Sequence, residues 1–208
     1  MEVEIGSRLQ GNVLVRAMFS AIWRPLLIGL AVATISICGA RAQGGADRAK
    51  QCAVCHGEDG NSRMPNTPSL AGQPEFFIIN QLFLMREGVR KVDAMAALVK
   101  DLKDDDLQGL AKHYAAQPAK PSGEAIDQAL VQRGSELAAT RRCVSCHQPS
   151  FAGADQIPRI AKQRVDYLTT ALKELRNGRL GSDTLMSAAV AGLSDADLAA
   201  LAHFAASR

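Results

Sequence analysis

Two short motifs in this chain each combine a pair of cysteines with a histidine, at residues 52–56 and at residues 143–147. Both have the form Cys-x-x-Cys-His, which is typical of covalent haem c attachment. Thiols three positions apart are neighbours on one helical turn, so both can reach the two vinyl groups of a single porphyrin. The histidine that follows is then held beside the iron as its proximal ligand. The spacing therefore predicts two covalent haem c groups, attached through Cys52, Cys55, Cys143 and Cys146, with iron ligation by His56 and His147.

Zinc binding and dithiol chemistry are the alternatives for paired cysteines. Zinc ribbons usually separate their two pairs by about 15–20 residues, whereas 87 residues lie between Cys55 and Cys143. A redox-active dithiol is typical of a strand–helix–strand fold, and neither motif is flanked by the alternating pattern of a strand. Both alternatives are therefore weaker than haem attachment.

The second axial ligand of each iron separates an electron carrier from an enzyme. A thioether ligand raises the reduction potential, whereas an open position permits chemistry on peroxide or small ligands. Met186 is the only methionine in the second half of the chain, and it follows Cys146 by 40 residues. Met95 follows Cys55 by the same 40 residues. We therefore expect Met95 and Met186 to complete the coordination of the two irons.

Four other side chains compete for this role, and each has a simpler explanation. Met64 is only eight residues from His56, too close to pass easily around the edge of the porphyrin. Met85 falls within an apolar helical segment, where methionine usually fills the core. His113 and His203 do not align with each other in the two halves, so we expect surface or core roles for them.

The elements that position these ligands occur twice, because the chain repeats itself. Residues 68–73 align with 158–163, and residues 86–88 align with 176–178. Two prolines and a glycine within residues 117–123 have the composition of a linker. The repeat predicts two tandem domains at residues 44–117 and 124–208, joined by a linker at 118–123 and preceded by a signal peptide at 1–42.

Helical signals dominate both halves, and neither half contains a convincing strand, so we predict an all-α fold. We expect three helices in each half, folded around a covalent haem that compensates for a small core. The predicted segments of the first half are Asp47–Val54, a helix between Pro74 and Gly88, and a helix from Asp104. Their counterparts are Glu124–Ala139, Arg164–Arg176 and a helix from Ser194.

A proline follows each haem-motif histidine, Pro68 after 12 residues and Pro158 after 11. In one interpretation a backbone carbonyl in this stretch accepts the Nδ1–H of the histidine and fixes the ring. In the other, the proline only shapes the loop. The sequence leaves both open.

The middle helix of the first half has more apolar positions than its counterpart. Phe76, Ile79 and Phe83 lie at i, i+3 and i+7, and the aligned residues of the second half are polar or charged. This apolar stripe is a wider core, a contact with the second domain, or a docking site for a redox partner.

The N-terminus has the pattern of a secretory signal. Arg24 precedes the apolar run Leu26–Gly39, and Ala40-Arg41-Ala42 forms a cleavage site. An uncleaved anchor is the alternative, although a span needs about 20 apolar residues. Translation from Met1 or from Met18 stays open. Removal of the leader leaves 20 basic and 19 acidic residues, a balance that does not suggest nucleic-acid binding.

The chain resembles the di-haem cytochrome c4 family, which has two class I cytochrome c domains in tandem. The resemblance covers residues from about 45 to the C-terminus and departs at Lys162, where the first half has Gly72, and in a shortened stretch after His147. It implies covalent haem c in each domain, His/Met ligation, a periplasmic location and electron transfer to terminal oxidases. The motifs that carry it include Gly57–Ser62, Leu70–Gln73, Arg90–Val92 before Met95, Asp183-Thr184 before Met186, and Leu193–Asp195.

We therefore expect an electron-transfer protein and not an enzyme. Its expected partners are redox proteins: a quinol-oxidising complex and a terminal oxidase or reductase. An electron-transfer subunit of a sulfide or thiosulfate dehydrogenase is the alternative, and peripheral association with the membrane stays open. A di-haem peroxidase would require an open iron position, which the paired methionines argue against.

Signal cleavage after Ala42 should leave a mature protein that begins at Gln43, because the cleavage site follows the apolar run directly. N-terminal sequencing of the exported protein measures this. Retention of residues 26–39 would contradict cleavage and would indicate a membrane-anchored protein.

Overall fold

In a computed structural model of the chain, residues 43–180 and 184–208 are described, and the regular structure there is helical apart from an isolated bridge between Ala154 and Ile157. The all-α prediction is confirmed, whereas the predicted leader lies outside the described residues. The first half contains α1 (Gln43–His56), α2 (Glu75–Arg86), α3 (Asp93–Val99) and α4 (Asp104–Ala115). The second half contains α5 (Gln128–Thr140), α6 (Val144–His147), α7 (Val165–Arg176), α8 (Thr184–Val190) and α9 (Asp195–Ala206).

The two halves are built around their last helices. In the first half α1 and α2 both pack against α4, and in the second half α5 and α7 both pack against α9. Leu107 and Leu110 on α4 are buried, as are Leu198 and Leu201 at the matching positions of α9. The repeat seen in the sequence is therefore a repeat of helix packing, with a separate apolar core in each half.

Polar side chains set the beginning of both last helices. Asp197 accepts the backbone N–H of Ser194 at 3.0 Å, while the Ser194 hydroxyl accepts the N–H of Asp197 at 3.2 Å. This is the capping box expected from the sequence. Asp106 likewise accepts the N–H of Lys103 at 2.9 Å, so part of the acidic run at the start of α4 serves as a cap.

The helix predicted from Glu124 begins later, at Gln128. Asp127 is the N-cap residue, and its carboxylate accepts the N–H groups of Ala129 and Leu130 at 2.9 and 3.2 Å. The Glu124 carboxylate instead accepts the N–H of Val165 at 2.8 Å, at the first residue of α7. Glu124 therefore caps a neighbouring helix and is not part of its own.

The prediction of three helices in each half was incomplete. Helices α3 and α8 have seven residues each, and α6 has four. Segments of this length contain too few turns to establish a helical period in the sequence. The omission matters because α3 carries Met95, α8 carries Met186 and α6 carries His147.

Two equivalent arginines fix the short helices to the last ones. Arg86 at the end of α2 donates to the Leu102 carbonyl at 3.0 Å and to the Asp104 carboxylate at 2.8 Å. Arg176 at the end of α7 donates to the Leu193 carbonyl at 2.9 Å and pairs with Asp195 at 2.8 Å. The aligned arginines thus hold the same junction in both halves.

Within the described residues, no single helix is long and apolar enough to cross a membrane. Helices α8 and α9 meet that requirement only when they are taken together, and they are bent by 112° to each other.

The apolar stripe on α2 divides into two parts. Ile79 packs against the core of the first half, as the wider-core interpretation predicts. Phe76 and Phe83 are 63% and 43% exposed, and the Arg86 guanidinium lies 5.4 Å from the centre of the Phe83 ring. Ile78, on the next face, is buried.

Phe76→Asp should change the free energy of unfolding by no more than about 0.5 kcal/mol, because the ring is exposed and aspartate suits the first turn of a helix. Ile78→Ala should cost about 2–5 kcal/mol, because it empties a core position. Denaturant unfolding of the two variants measures the difference. A cost of several kcal/mol for Phe76→Asp would place this ring in the core.

Candidate functional site

The first haem motif ends α1. Cys52 and Cys55 are half-buried on its last turns, and His56 is its final residue, with 6% of its surface exposed. The chain then leaves the helix at Gly57, whose φ of +84° lies in the left-handed region that favours glycine. The Gly57 N–H still donates to the Ala53 carbonyl at 2.9 Å, which closes the helix directly after the histidine.

The second motif reaches the same arrangement by a different path. Helix α5 ends at Thr140, and Arg142 turns the chain with a φ of 56°. Cys143 is half-buried, Cys146 is exposed, and His147 ends the short helix α6 with 5% exposure. Both histidines are therefore buried at the end of a helical turn that carries the cysteines.

Each histidine ring is held by the proline carbonyl that the sequence pointed to. The Nδ1 atom of His56 lies 2.8 Å from the carbonyl oxygen of Pro68, and that of His147 lies 3.0 Å from the carbonyl oxygen of Pro158. A carbonyl can only accept, so each Nδ1 carries the proton and each Nε2 carries the lone pair. This confirms the first of the two interpretations of the prolines.

Burial also keeps His56 in the form that binds a metal. It lowers the pKa of His56, and the hydrogen bond to Pro68 opposes this shift only in part. The imidazole is therefore neutral near pH 7, as an iron ligand must be.

The loop after each histidine forms the same turn from different residues. In the first half the Gly60 N–H donates to the Gly57 carbonyl at 3.0 Å, and in the second half the Phe151 N–H donates to the Gln148 carbonyl at 3.0 Å. Gln148 and Phe151 have φ values of 66° and 56°, in the left-handed region used by the two glycines. The shortened stretch after His147 therefore retains the backbone geometry of the first half.

The side chains around this turn exchange places between the halves. A Cβ atom on Gly60 would lie 2.8 Å from the ring of Tyr114, which is buried and fills this space. In the second half Phe151 fills it instead, and its ring packs edge-to-face against Phe204 at 5.4 Å. Tyr114 aligns with Ala205, which leaves room for the Phe151 ring.

The predicted methionine ligands lie on α3 and α8. Met95 and Cys52 are half-buried and pack against the same core cluster, and Met186 and Cys143 do so in the second half. In the first half Cys52 and Met95 also line one pocket, of which Cys55 and His56 are not part. The rest of its lining is mainly apolar: Arg48, Gln51, Leu82, Leu98, Val99, Leu102 and Leu110.

The alternative chemistries find no support in the described residues. Burial raises the pKa of the Cys52 and Cys143 thiols, whereas a redox-active dithiol needs a lowered pKa. The part of the chain that the structure describes contains no cluster of three or more His, Cys, Asp or Glu residues able to hold a metal ion. Paired thiols, an oriented imidazole and a nearby thioether instead form the donor set of haem c.

Sequence reasoning missed several buried polar residues of these loops. Ser62 is 1% exposed, and its hydroxyl donates to the Cys55 carbonyl at 2.9 Å, which ties the haem motif to the following loop. Gln73, Arg159 and Gln163 are also buried, at 4%, 5% and 2% exposure. The recurrence of glutamine five residues after each proline was the available signal.

Comparison with known families separates the chain into the same two halves. The Cytochrome c family matches residues 131–207, and the family "Cytochrome C oxidase, cbb3-type, subunit III" matches residues 39–113. Cytochrome c4 of Pseudomonas aeruginosa is 32% identical over 189 residues, which cover 86% of this chain and 94% of that relative. The thiosulfate dehydrogenase electron acceptor of Thiomonas intermedia is 28% identical over 77% of this chain and 79% of its own length.

The fold also has a close counterpart among solved structures. The crystal structure of reduced recombinant cytochrome c4 from Pseudomonas stutzeri superposes with a TM-score of 0.73 at 30% sequence identity. The match covers 78% of this chain and 96% of that one. Together with the two family matches, it shows that the fold is a tandem pair of class I cytochrome c domains.

Gly60→Ala should destabilise the first domain more than Gly88→Ala. Both glycines have a positive φ, +71° and +70°, so both variants incur about 1–2 kcal/mol of backbone strain. Only Gly60→Ala also forces a Cβ atom against the Tyr114 ring, which adds about 1–3 kcal/mol. Thermal unfolding of the two variants tests this, and equal losses would contradict the packing described for the turn.

Proposed function

This chain belongs to the cytochrome c4 family and holds two covalent haem c groups, and we propose that it carries electrons in the periplasm from a quinol-oxidising complex to a terminal oxidase or reductase. Its cytochrome c4 relatives are electron-transfer proteins and not enzymes. The finer assignment rests on the arrangement of side chains in each half.

The ligands proposed for the two irons are His56 with Met95 and His147 with Met186. The observation that carries this assignment is the hydrogen bond between each histidine Nδ1 and a proline carbonyl, at 2.8 and 3.0 Å. It leaves the lone pair on Nε2, as iron ligation requires. The four cysteines of the two motifs are the proposed attachment points.

When bound, each haem supplies a one-electron Fe(III)/Fe(II) couple. The chain determines the chemistry that is possible around it. Two protein ligands on each iron leave no position for peroxide or another substrate, which suits a carrier. Covalent attachment through the cysteines keeps the group in place in domains whose apolar cores are small.

The described residues also support the proposed boundaries at 44–117, 118–123 and 124–208. Asn61 holds the linker, since its side chain donates to the Pro118 carbonyl at 3.1 Å and accepts the Lys120 N–H at 2.8 Å. The Lys120 ammonium lies 2.7 Å from the Asp59 carboxylate. The linker thus runs across the loop that follows the first haem motif.

The periplasmic location follows from the leader pattern in residues 24–42. Haem c attachment requires reduced thiols on an exported chain, and the proposed attachment sites account for all four cysteines beyond the leader.

A second candidate function is an electron acceptor of a thiosulfate-oxidising dehydrogenase. The similarity to the Thiomonas intermedia protein of that name favours it. Gel filtration of native periplasm distinguishes the two candidates, because a tightly bound subunit co-elutes with its dehydrogenase and a diffusing carrier does not.

Met186→Ala should leave the second haem attached, since Cys143 and Cys146 are unchanged. Loss of the thioether should lower the potential of that haem by about 0.1 V or more, within the roughly 0.8 V range that axial ligands span. It should also let carbon monoxide bind to the reduced protein. Met95→Ala should do the same to the first haem only.

Met85→Leu is the matched control, because Met85 packs against the first core and should affect neither haem. Redox titration and visible spectra of the three variants measure the outcome. A Met95 or Met186 variant whose spectrum matches the wild-type protein at both haems would show that the replaced methionine is not a ligand.

A further inference from the structure

The two halves hold each other through a reciprocal pair of glutamine side chains. Gln73 of the first half accepts the backbone N–H of Arg159 at 2.9 Å and donates to the Arg159 carbonyl at 2.8 Å. Gln163 of the second half accepts the backbone N–H of Ser69 at 2.7 Å and donates to the Ser69 carbonyl at 2.9 Å. Each amide thus binds both polar groups of one residue in the opposite half.

The residues that are bound in this way stand directly after the two histidine-holding prolines. The N–H of Arg159 and the carbonyl of Pro158 belong to the same peptide group, and that carbonyl accepts from His147. The N–H of Ser69 and the carbonyl of Pro68 likewise share one peptide group, and that carbonyl accepts from His56. A continuous hydrogen-bonded chain therefore runs from each glutamine, through one peptide group, to the histidine of the other half.

Resonance couples the two ends of such a peptide group. When its N–H donates to a glutamine oxygen, its carbonyl becomes more negative and accepts more strongly, and consecutive bonds strengthen one another by roughly 10–30%. A stronger bond to Nδ1–H makes the imidazole a better donor to iron. The glutamine can therefore influence an iron that it does not touch.

Burial keeps water from replacing either glutamine. Ser69 is 1% exposed, and Gln73 and Gln163 are 4% and 2% exposed. The Arg159 side chain closes the same region, because its guanidinium donates to the Ala71 carbonyl at 3.0 Å and also contacts the carbonyls of Ala161 and Ser69. Loss of a glutamine amide would therefore leave buried polar groups unsatisfied.

We propose that Gln73 and Gln163 are crossed positioning residues, in which Gln73 sets the ligand strength of His147 and Gln163 sets that of His56. The inference rests on the proposed ligation of iron by these two histidines. It makes the properties of each haem depend on the docking of the two domains. A stronger imidazole donor favours Fe(III), so removal of a glutamine amide should raise the potential of the haem in the opposite half.

The test uses the full-length holoprotein with Gln73→Met and Gln163→Met, which keep the volume of the side chain and remove its hydrogen bonds. Gln108→Met and Gln132→Met are matched controls, because both glutamines are exposed on α4 and α5. Two properties are measured for each haem: hydrogen exchange of the histidine Nδ1–H by NMR in the reduced protein, and the reduction equilibrium. The signals of the two haems are assigned with Met95→Ala and Met186→Ala.

Gln73→Met should accelerate exchange at His147 by about tenfold or more and leave His56 unchanged, because local opening of that bond becomes easier. It should also shift the reduction equilibrium of the second haem about threefold toward Fe(II). Gln163→Met should do the same to His56 and the first haem, and the controls should change neither. Effects confined to the half that carries the substitution, equal in both halves, or absent would overturn the proposal.

Gln73→Glu and Gln163→Glu provide a second pair of variants if the methionine variants do not fold. Each keeps an oxygen that accepts the backbone N–H, so exchange at the opposite histidine should stay close to wild type. Fast exchange at the histidine of the same half would overturn the proposal. A wild-type protein without histidine ligation would overturn the proposed function itself, which the spectrum of the unsubstituted protein reveals separately.

Discussion

The hydrogen bond from a histidine Nδ1 to a proline carbonyl is the constraint on which both haem sites depend. It fixes the ring, selects the tautomer and leaves the Nε2 lone pair for the iron. The carbonyl comes from a loop residue 11 or 12 positions further along the chain, so the loop must return to the end of the helix. The buried polar contacts of the loops, such as Ser62 with Cys55, secure that return.

The two halves meet this constraint with different side chains. Gly57 and Gly60 make the turn in the first half, while Gln148 and Phe151 accept left-handed backbone angles in the second. The strain at Phe151 is offset by its burial against Phe204, in the space that Tyr114 occupies in the first half. Lys162 adopts a φ of 55° where Gly72 has 65°, so this sequence difference also leaves the backbone unchanged. Backbone geometry is thus the repeated feature, and side-chain identity is not.

Much of this arrangement could be predicted from sequence, because its strongest signals are local or repeated. The Cys-x-x-Cys-His spacing, the aligned methionines and the Ser194 capping box all lie within short stretches or recur at fixed distances. Short helices such as α3 escaped prediction because seven residues do not define a period. The later start of α5 escaped because Glu124 caps a helix that begins 41 residues away. The contacts of Gln73 and Gln163 with the opposite half depend on how the domains dock, which no local pattern encodes.

Ligation of both irons by histidine and methionine is the central claim, and one redox titration of the wild-type holoprotein followed by visible spectroscopy tests it most directly. The account predicts a weak sulfur-to-iron band near the red end of the oxidised spectrum, with an intensity that corresponds to two haems, and its loss on reduction. A band with the intensity of one haem, or no band, would contradict methionine ligation at one or both sites.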